Sequence, residues 1–118
     1  MHDQEYNQVL SKEIPLVQDL AQRFNELDSL LHEHVAYYDE ILPHVFMGDV
    51  TRYVLSGGSQ RQEIVRHLNG AFVNGATEVR DLIAVSFVEN IDSEEELELA
   101  LQDVTAEALR AEWHVQHG

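Results

Sequence analysis

Cysteine is absent from the 118 residues, proline occurs twice, glycine six times, and seven Lys or Arg stand against 22 Asp or Glu. Without thiols there is no disulfide framework, no thiolate nucleophile and no sulfur-ligated zinc, and the fold has no need of an oxidising compartment. So few prolines and glycines argue against a many-turned sandwich or barrel. No apolar stretch approaches the roughly 18 residues of a membrane span. The start, Met1-His-Asp-Gln-Glu-Tyr6, lacks the basic residues and apolar run of a signal peptide. A soluble, cytoplasmic protein is expected.

The shortage of bases leaves a net charge of −15. A field of that sign repels phosphate backbones and anionic membrane surfaces, which argues against direct nucleic-acid or membrane binding. It attracts a basic partner and speeds that encounter at low salt; the plainer reading is that the charge only confers solubility. An apolar fraction of 44% over this length suffices for one folded domain spanning residues 1–118.

What is present is helical periodicity. In Glu78-Val-Arg-Asp-Leu-Ile-Ala-Val-Ser-Phe-Val-Glu-Asn-Ile91, the residues Val79, Leu82, Ile83, Ser86, Phe87 and Asn90 fall on one helical face. Ala84, Val85 and Val88 add apolar groups on the other flank, so this stretch reads as a central, buried helix. Burying five large apolar side chains at about 1.5–3 kcal/mol each would make it the largest single contributor to stability.

The remaining elements fall around it. Asp3 to Lys12 reads as a short helix; Pro15 then suits the first turn of a new one, and Leu16, Leu20, Phe24, Leu27 and Leu31 predict one long amphipathic helix. Pro43 opens a helix with Val45, Phe46, Val50, Tyr53 and Val54 inward; Gly48 inside it suggests close approach of a neighbouring backbone, and Gly57 or Gly58 provides a left-handed cap. Ser59-Gln-Arg-Gln62 has capping-box spacing and starts a helix with Ile64, Val65, Leu68, Ala71 and Phe72 on its face, ended by Asn74-Gly75. Ser93-Glu-Glu-Glu96 is a second capping box, and a last helix is expected through Leu97, Leu101, Val104, Ala108 and Ala111 to about Trp113. No convincing strand is found. The reading is an all-α single domain of about six helices, with bundle and short solenoid-like packing both open.

Candidate chemistry is sparse. His32 and His34 point about 200° apart on a helix, His114 and His117 offer two nitrogens without a third ligand, and no H-E-x-x-H motif occurs, so no metal or cofactor is expected. Ser86 lacks the glycine-flanked elbow of a hydrolase nucleophile, and Ser56-Gly-Gly-Ser59 lacks the lysine of a phosphate loop. No catalytic residue is assigned and the chain is not read as an enzyme. A small enzyme or metal site using His44, Asp49 and Glu89 is the rival in that direction. Asp49 and Arg52, three apart, are expected to form an ion pair.

The acids carry more information. Between Arg80 and Arg110 there are nine Asp or Glu and no Lys or Arg. A charged helix face is usually only solvated, but this run sits at the C-terminal end of the buried helix, where a rigid patch suits binding. Glu89, Asp92, Glu94, Glu95 and Glu98 are the candidate partner-binding residues.

Leu42-Pro-His-Val-Phe-Met-Gly-Asp-Val-Thr-Arg-Tyr53, followed by Leu82-Ile-Ala-Val-Ser-Phe-Val-Glu-Asn-Ile91, resembles a small bacterial immunity-protein family associated with polymorphic toxins and contact-dependent growth inhibition. Pro43, His44, Phe46, Gly48, Asp49, Ser86, Phe87, Glu89 and Asn90 carry the resemblance, which covers residues 40–91. It implies an antitoxin that neutralises a cognate toxin domain, most readily a nuclease, by blocking its basic cleft as a phosphate-backbone mimic. The alternative is an acidic helical adaptor with a different basic protein partner.

Overall fold

The computed structural model describes residues 12–118, and among them seven α-helices follow one another without a strand. They are α1 (Glu13–Arg23), α2 (Asn25–Tyr38), α3 (Pro43–Leu55), α4 (Arg61–Asn74), α5 (Thr77–Ile83), α6 (Glu94–Leu101) and α7 (Glu107–His117). A π-helical turn, Ala84–Val88, continues α5. The fold is all-α, as expected. The helix expected over Asp3 to Lys12 lies outside the described residues, apart from Lys12.

The long helix expected through Leu16 and Leu31 is two helices. Phe24 takes an extended conformation (φ −127°, ψ 104°), so the chain folds back and both apolar stripes reach one core. Phe24 itself is buried there, edge-on to the His67 ring at 6.0 Å. Helix α2 runs antiparallel to α3: the His34 and Phe46 rings meet at one end (5.9 Å), and the Tyr53 hydroxyl meets the Glu26 carboxylate at the other. The α2 pattern continues past His32 and His34 to Tyr38, where Asp39 in the left-handed region (φ 63°) donates its N–H to Val35 O at 2.7 Å and stops it.

Pro43 occupies the first turn of α3, where its missing N–H costs nothing. Phe46, Met47, Val50, Thr51 and Val54 are buried, whereas Val45 is exposed, so the inner face is turned by one residue from the expected one. Gly57 (φ 80°) provides the left-handed closure. Gly48 is buried, but a Cβ there would meet only Asn90 Nδ2 and the Arg52 guanidinium at 3.5 Å and beyond, ordinary contact distances. The close backbone approach expected at Gly48 is not made. It occurs in side-chain form at Gly58, where a Cβ would run into the Tyr53 ring.

The capping box expected at Ser59 is also not formed. Helix α4 begins two residues later at Arg61, and Ser59 Oγ donates to Glu26 Oε2 at 2.7 Å. Competition explains this: the Tyr53–Glu26 pair draws Ser59 outward, while Gln60 donates its N–H to Tyr53 Oη and accepts from the Glu26 N–H through its Oε1. Ile64, Val65, Leu68 and Phe72 form the buried face of α4 as expected.

The central stretch is not uniform α-helix. Leu82, Ile83, Ser86, Phe87, Val88 and Ile91 are buried, but Val85 and Asn90 are exposed. The wider turn places three consecutive residues, Ser86 to Val88, inside. A π turn leaves backbone groups to be satisfied from outside. Thr51 Oγ1 donates to Phe87 O (3.0 Å), Asn90 Nδ2 to Ser86 O (2.7 Å) and Gln116 Nε2 to Ala84 O (3.0 Å).

The last expected helix is again two. Helix α6 ends at Leu101, and a turn with Asp103 in the left-handed region (φ 61°) leads to α7. Two side chains from α4 hold this break: Arg61 Nη1 donates to Ala100 O near the end of α6 (2.8 Å), and Asn69 Oδ1 accepts the Leu109 N–H in the first turn of α7 (3.2 Å). Trp113 is then buried with its Nε1–H on Ile91 O at 2.7 Å, which ties α7 to the end of the central element.

Candidate interaction surface

The acidic corner begins where the π turn ends. Ile91 is buried, and the backbone from Asp92 to Glu96 is fixed by the second capping box, which forms: Ser93 Oγ accepts the Glu96 N–H at 3.1 Å. Glu96 Oε1 reaches back to the Asp92 N–H at 2.8 Å. One acid of the run is thus consumed by structure. Glu89, Asp92, Glu94 and Glu95 are exposed, and among the described residues none of the four has an ion-pair partner. Glu94 and Glu95 sit in the first turn of α6, where the helix dipole stabilises their charge.

Glu98 differs from the others. Arg110 of α7, twelve residues away in the chain, folds back and donates Nη1 to Glu98 Oε1. The window that is free of bases along the sequence is therefore partly neutralised in space. Between these helices lies a groove of about 620 Å³ bordered by Glu95, Glu98, Leu99, Leu101, Asp103, Val104 and Arg110. Leu99 is 52% exposed. The groove brings the carboxylates of Glu95, Glu98 and Asp103 together with Leu99, Leu101 and Val104. It exists only because α6 and α7 are separate helices, so reading one continuous helix through Val104 concealed it.

A second polar arrangement joins α1, α3 and the π turn. His44 Nδ1 hydrogen-bonds Ser86 Oγ, and His44 Nε2 lies 3.3 Å from Glu13 Oε2. Glu13 is buried, with Oε2 lacking a well-directed hydrogen bond among the described residues, and burial pushes its carboxyl above the ordinary range against the lowering effect of His44; Glu78 and Asp81 push it further up. Ser86 is buried, and His44 over it is exposed. Sequence reasoning missed Glu13 altogether, because an acid in the first turn of a helix reads as a dipole partner on a solvated face.

The rival set His44, Asp49 and Glu89 is not gathered. His44 is held by Ser86 and Glu13, Asp49 forms the expected ion pair with Arg52, and Glu89 points to solvent. Among the described residues no three His, Asp or Glu side chains converge with metal-ligating geometry, and no helix is long and apolar enough to cross a membrane.

No curated protein and no solved structure matches the chain. A family model does match, over residues 17–118, which include every helix from α2 to α7 and both ends of the acidic corner. The chain belongs to the family described as "Domain of unknown function (DUF7674)".

Proposed function

We propose that this domain is a binding module for a basic protein surface, and that it acts as an immunity protein that neutralises a cognate toxin domain by occupying its cationic cleft. The observation that carries this reading is the corner formed by Glu89, Asp92, Glu94 and Glu95: exposed carboxylates without cationic partners among the described residues, on backbone held by a capping box and by the Trp113–Ile91 bond. A pre-ordered set of like charges loses little conformational freedom on binding, and the charges steer a basic partner toward it. The adjoining groove supplies apolar surface for contact once the partner has arrived. The overall charge of −15 and the resemblance over residues 40–91 point the same way.

A nuclease is the toxin class best suited, since its substrate cleft is built for polyanions. Co-expression with a panel of basic nuclease toxin domains, followed by co-purification and a growth-protection assay, tests the proposal. Replacing Glu89, Asp92, Glu94 and Glu95 together by Lys is expected to abolish capture and protection while leaving the helical circular dichroism intact. Retained protection by the folded quadruple variant would overturn the placement of the interface. Capture of a basic protein that is not a toxin would instead favour the adaptor reading.

A further inference from the structure

The end of α2 carries the most exposed Tyr, Trp and Phe side chains among the described residues. Tyr37 is 82% exposed and Tyr38 40%, and their rings stand edge to face at 4.7 Å, 73° apart. Together with Leu30, Glu33, His34 and Asp49 they line a recess of about 330 Å³. We propose that this recess is a subsite for an arginine side chain presented by the partner protein.

The chemistry of the walls carries the assignment. Two tyrosine rings offer negatively polarised faces, which attract a cation held against them. Glu33 and Asp49 place two carboxylates at the same opening. Asp49 already accepts from Arg52 through Oδ1, so the structure contains one guanidinium bound at this rim by its own chain. A planar guanidinium can stack on a ring and present its N–H fork to a carboxylate together, which a compact ammonium does less well.

Behind the rings, His34 is buried at 4% exposure. Its Nε2 accepts the Leu42 N–H at 2.9 Å, so in the neutral ring the proton sits on Nδ1, and Nδ1 has no partner among the described residues. A backbone carbonyl of the segment that brings the arginine would complete that donor, with Tyr38 moving off the His34 ring, now 4.8 Å away. Through Asp49 the recess borders the stretch of α3 that meets the end of the π turn. On that stretch, Asn90 Nδ2 lies 3.5 Å from the position of a Gly48 Cβ. The subsite deepens the binding reading above and rests on it, because one basic protein would cover both places.

The test uses the full chain and a small probe, so that it reads the recess independently of any toxin. Nα-acetyl-arginine amide is titrated into isotope-labelled protein at low salt, with Nα-acetyl-norleucine amide as the uncharged control, and backbone and histidine side-chain NMR shifts are followed. Saturable shifts at Glu33, His34, Tyr37, Tyr38 and Asp49 with the arginine probe, absent with norleucine, are expected. Tyr37→Ala, at a position too exposed to affect folding, should weaken the probe about three-fold. Equal shifts with norleucine would overturn the assignment, as would arginine shifts confined to residues 89–98 or no saturable shift at all. The middle result overturns only the recess and leaves the acidic corner as the binding site.

Discussion

Replacing Glu13 by Gln should stabilise the protein at neutral pH and remove part of its acid response. Glu13 is buried next to His44, and among the described residues its Oε2 lacks a directed hydrogen bond although His44 Nε2 is 3.3 Å away. Burial raises its carboxyl above the ordinary value of 4.5, with Glu78 and Asp81 adding to the rise and His44 opposing it. The folded state then binds a proton more readily than the unfolded one, so stability falls as pH rises from about 4.5 through the raised folded value. Below 4.5 both states are protonated and the stabilisation is fully present. Gln has the shape of the protonated acid and no charge to desolvate. Leaving a buried polar group unsatisfied costs about 1–3 kcal/mol, and His44 offsets part of that for the charged form. A gain of about 1 kcal/mol at pH 8 is therefore expected, or about 4 °C in Tm for a domain of this size, shrinking toward zero at pH 4. Urea denaturation of both proteins across pH 4–8 measures it directly. A variant less stable than the parent at pH 8, or one with an unchanged pH slope, would refute the account of Glu13.

Other contacts give sharper single-site expectations. Trp113→Phe keeps the ring packing but removes the Nε1–H bond to Ile91 O, so a loss of about 1–2 kcal/mol is expected in chemical denaturation. Ser93→Ala should cost about 1 kcal/mol by unsatisfying the Glu96 N–H, read by the same assay, and should also loosen the acidic corner. Arg110→Ala frees Glu98 and should change stability by less than about 0.5 kcal/mol, while strengthening capture of a basic partner at low salt; weaker capture would show that Arg110 is itself part of the interface.

The all-α class and most of the core were legible, because helical spacing of Leu, Val, Ile and Phe is set by the period of the helix and needs no tertiary information. The breaks were not. Phe24 carries no turn signal; an apolar residue in the middle of an apolar period reads as helix, and it is extended because the fold gains by turning α1 back against α2. Residues Gln102 to Ala106 lack both glycine and proline, and the break there depends on Arg61 and Asn69, which reach in from α4. The Ser59 and Ser93 caps part for a comparable reason: Ser59 Oγ is drawn to Glu26 from α2, whereas Ser93 Oγ stays on the Glu96 N–H of its own helix. At the candidate surface the exposed acids were visible in the sequence. The pairing of Glu98 with Arg110 was not, nor was the groove between their helices.

The π turn explains why the acidic corner lies where it does. In an uninterrupted α-helix, Ser86 and Asn90 share a face with Leu82 and Ile83, and Asn90 is drawn inward. The wider turn changes that geometry: Val88 enters the core, Ile91 follows it, and Asn90 lies outside with its amide turned back onto Ser86 O. Glu89 is carried outward with it, and the chain leaves the core at Ile91 directly into the Ser93 cap. Thr51 supplies a donor to Phe87 O, and Gln116 adds a second donor to Ala84 O, which already accepts the Glu89 N–H. Thr51→Val, nearly the same in shape, would leave Phe87 O without its side-chain donor in a buried site, at a cost of about 1–3 kcal/mol. If the chain relaxed to a regular α-helix in response, Glu89 and Asn90 would change faces. Hydrogen exchange of the amides from Ala84 to Ile91 should therefore accelerate in this variant well beyond that of the rest of α5. Acceleration spread evenly over the domain would mean that Thr51 contributes only to global stability and that the turn is held by packing of Phe87 and Val88.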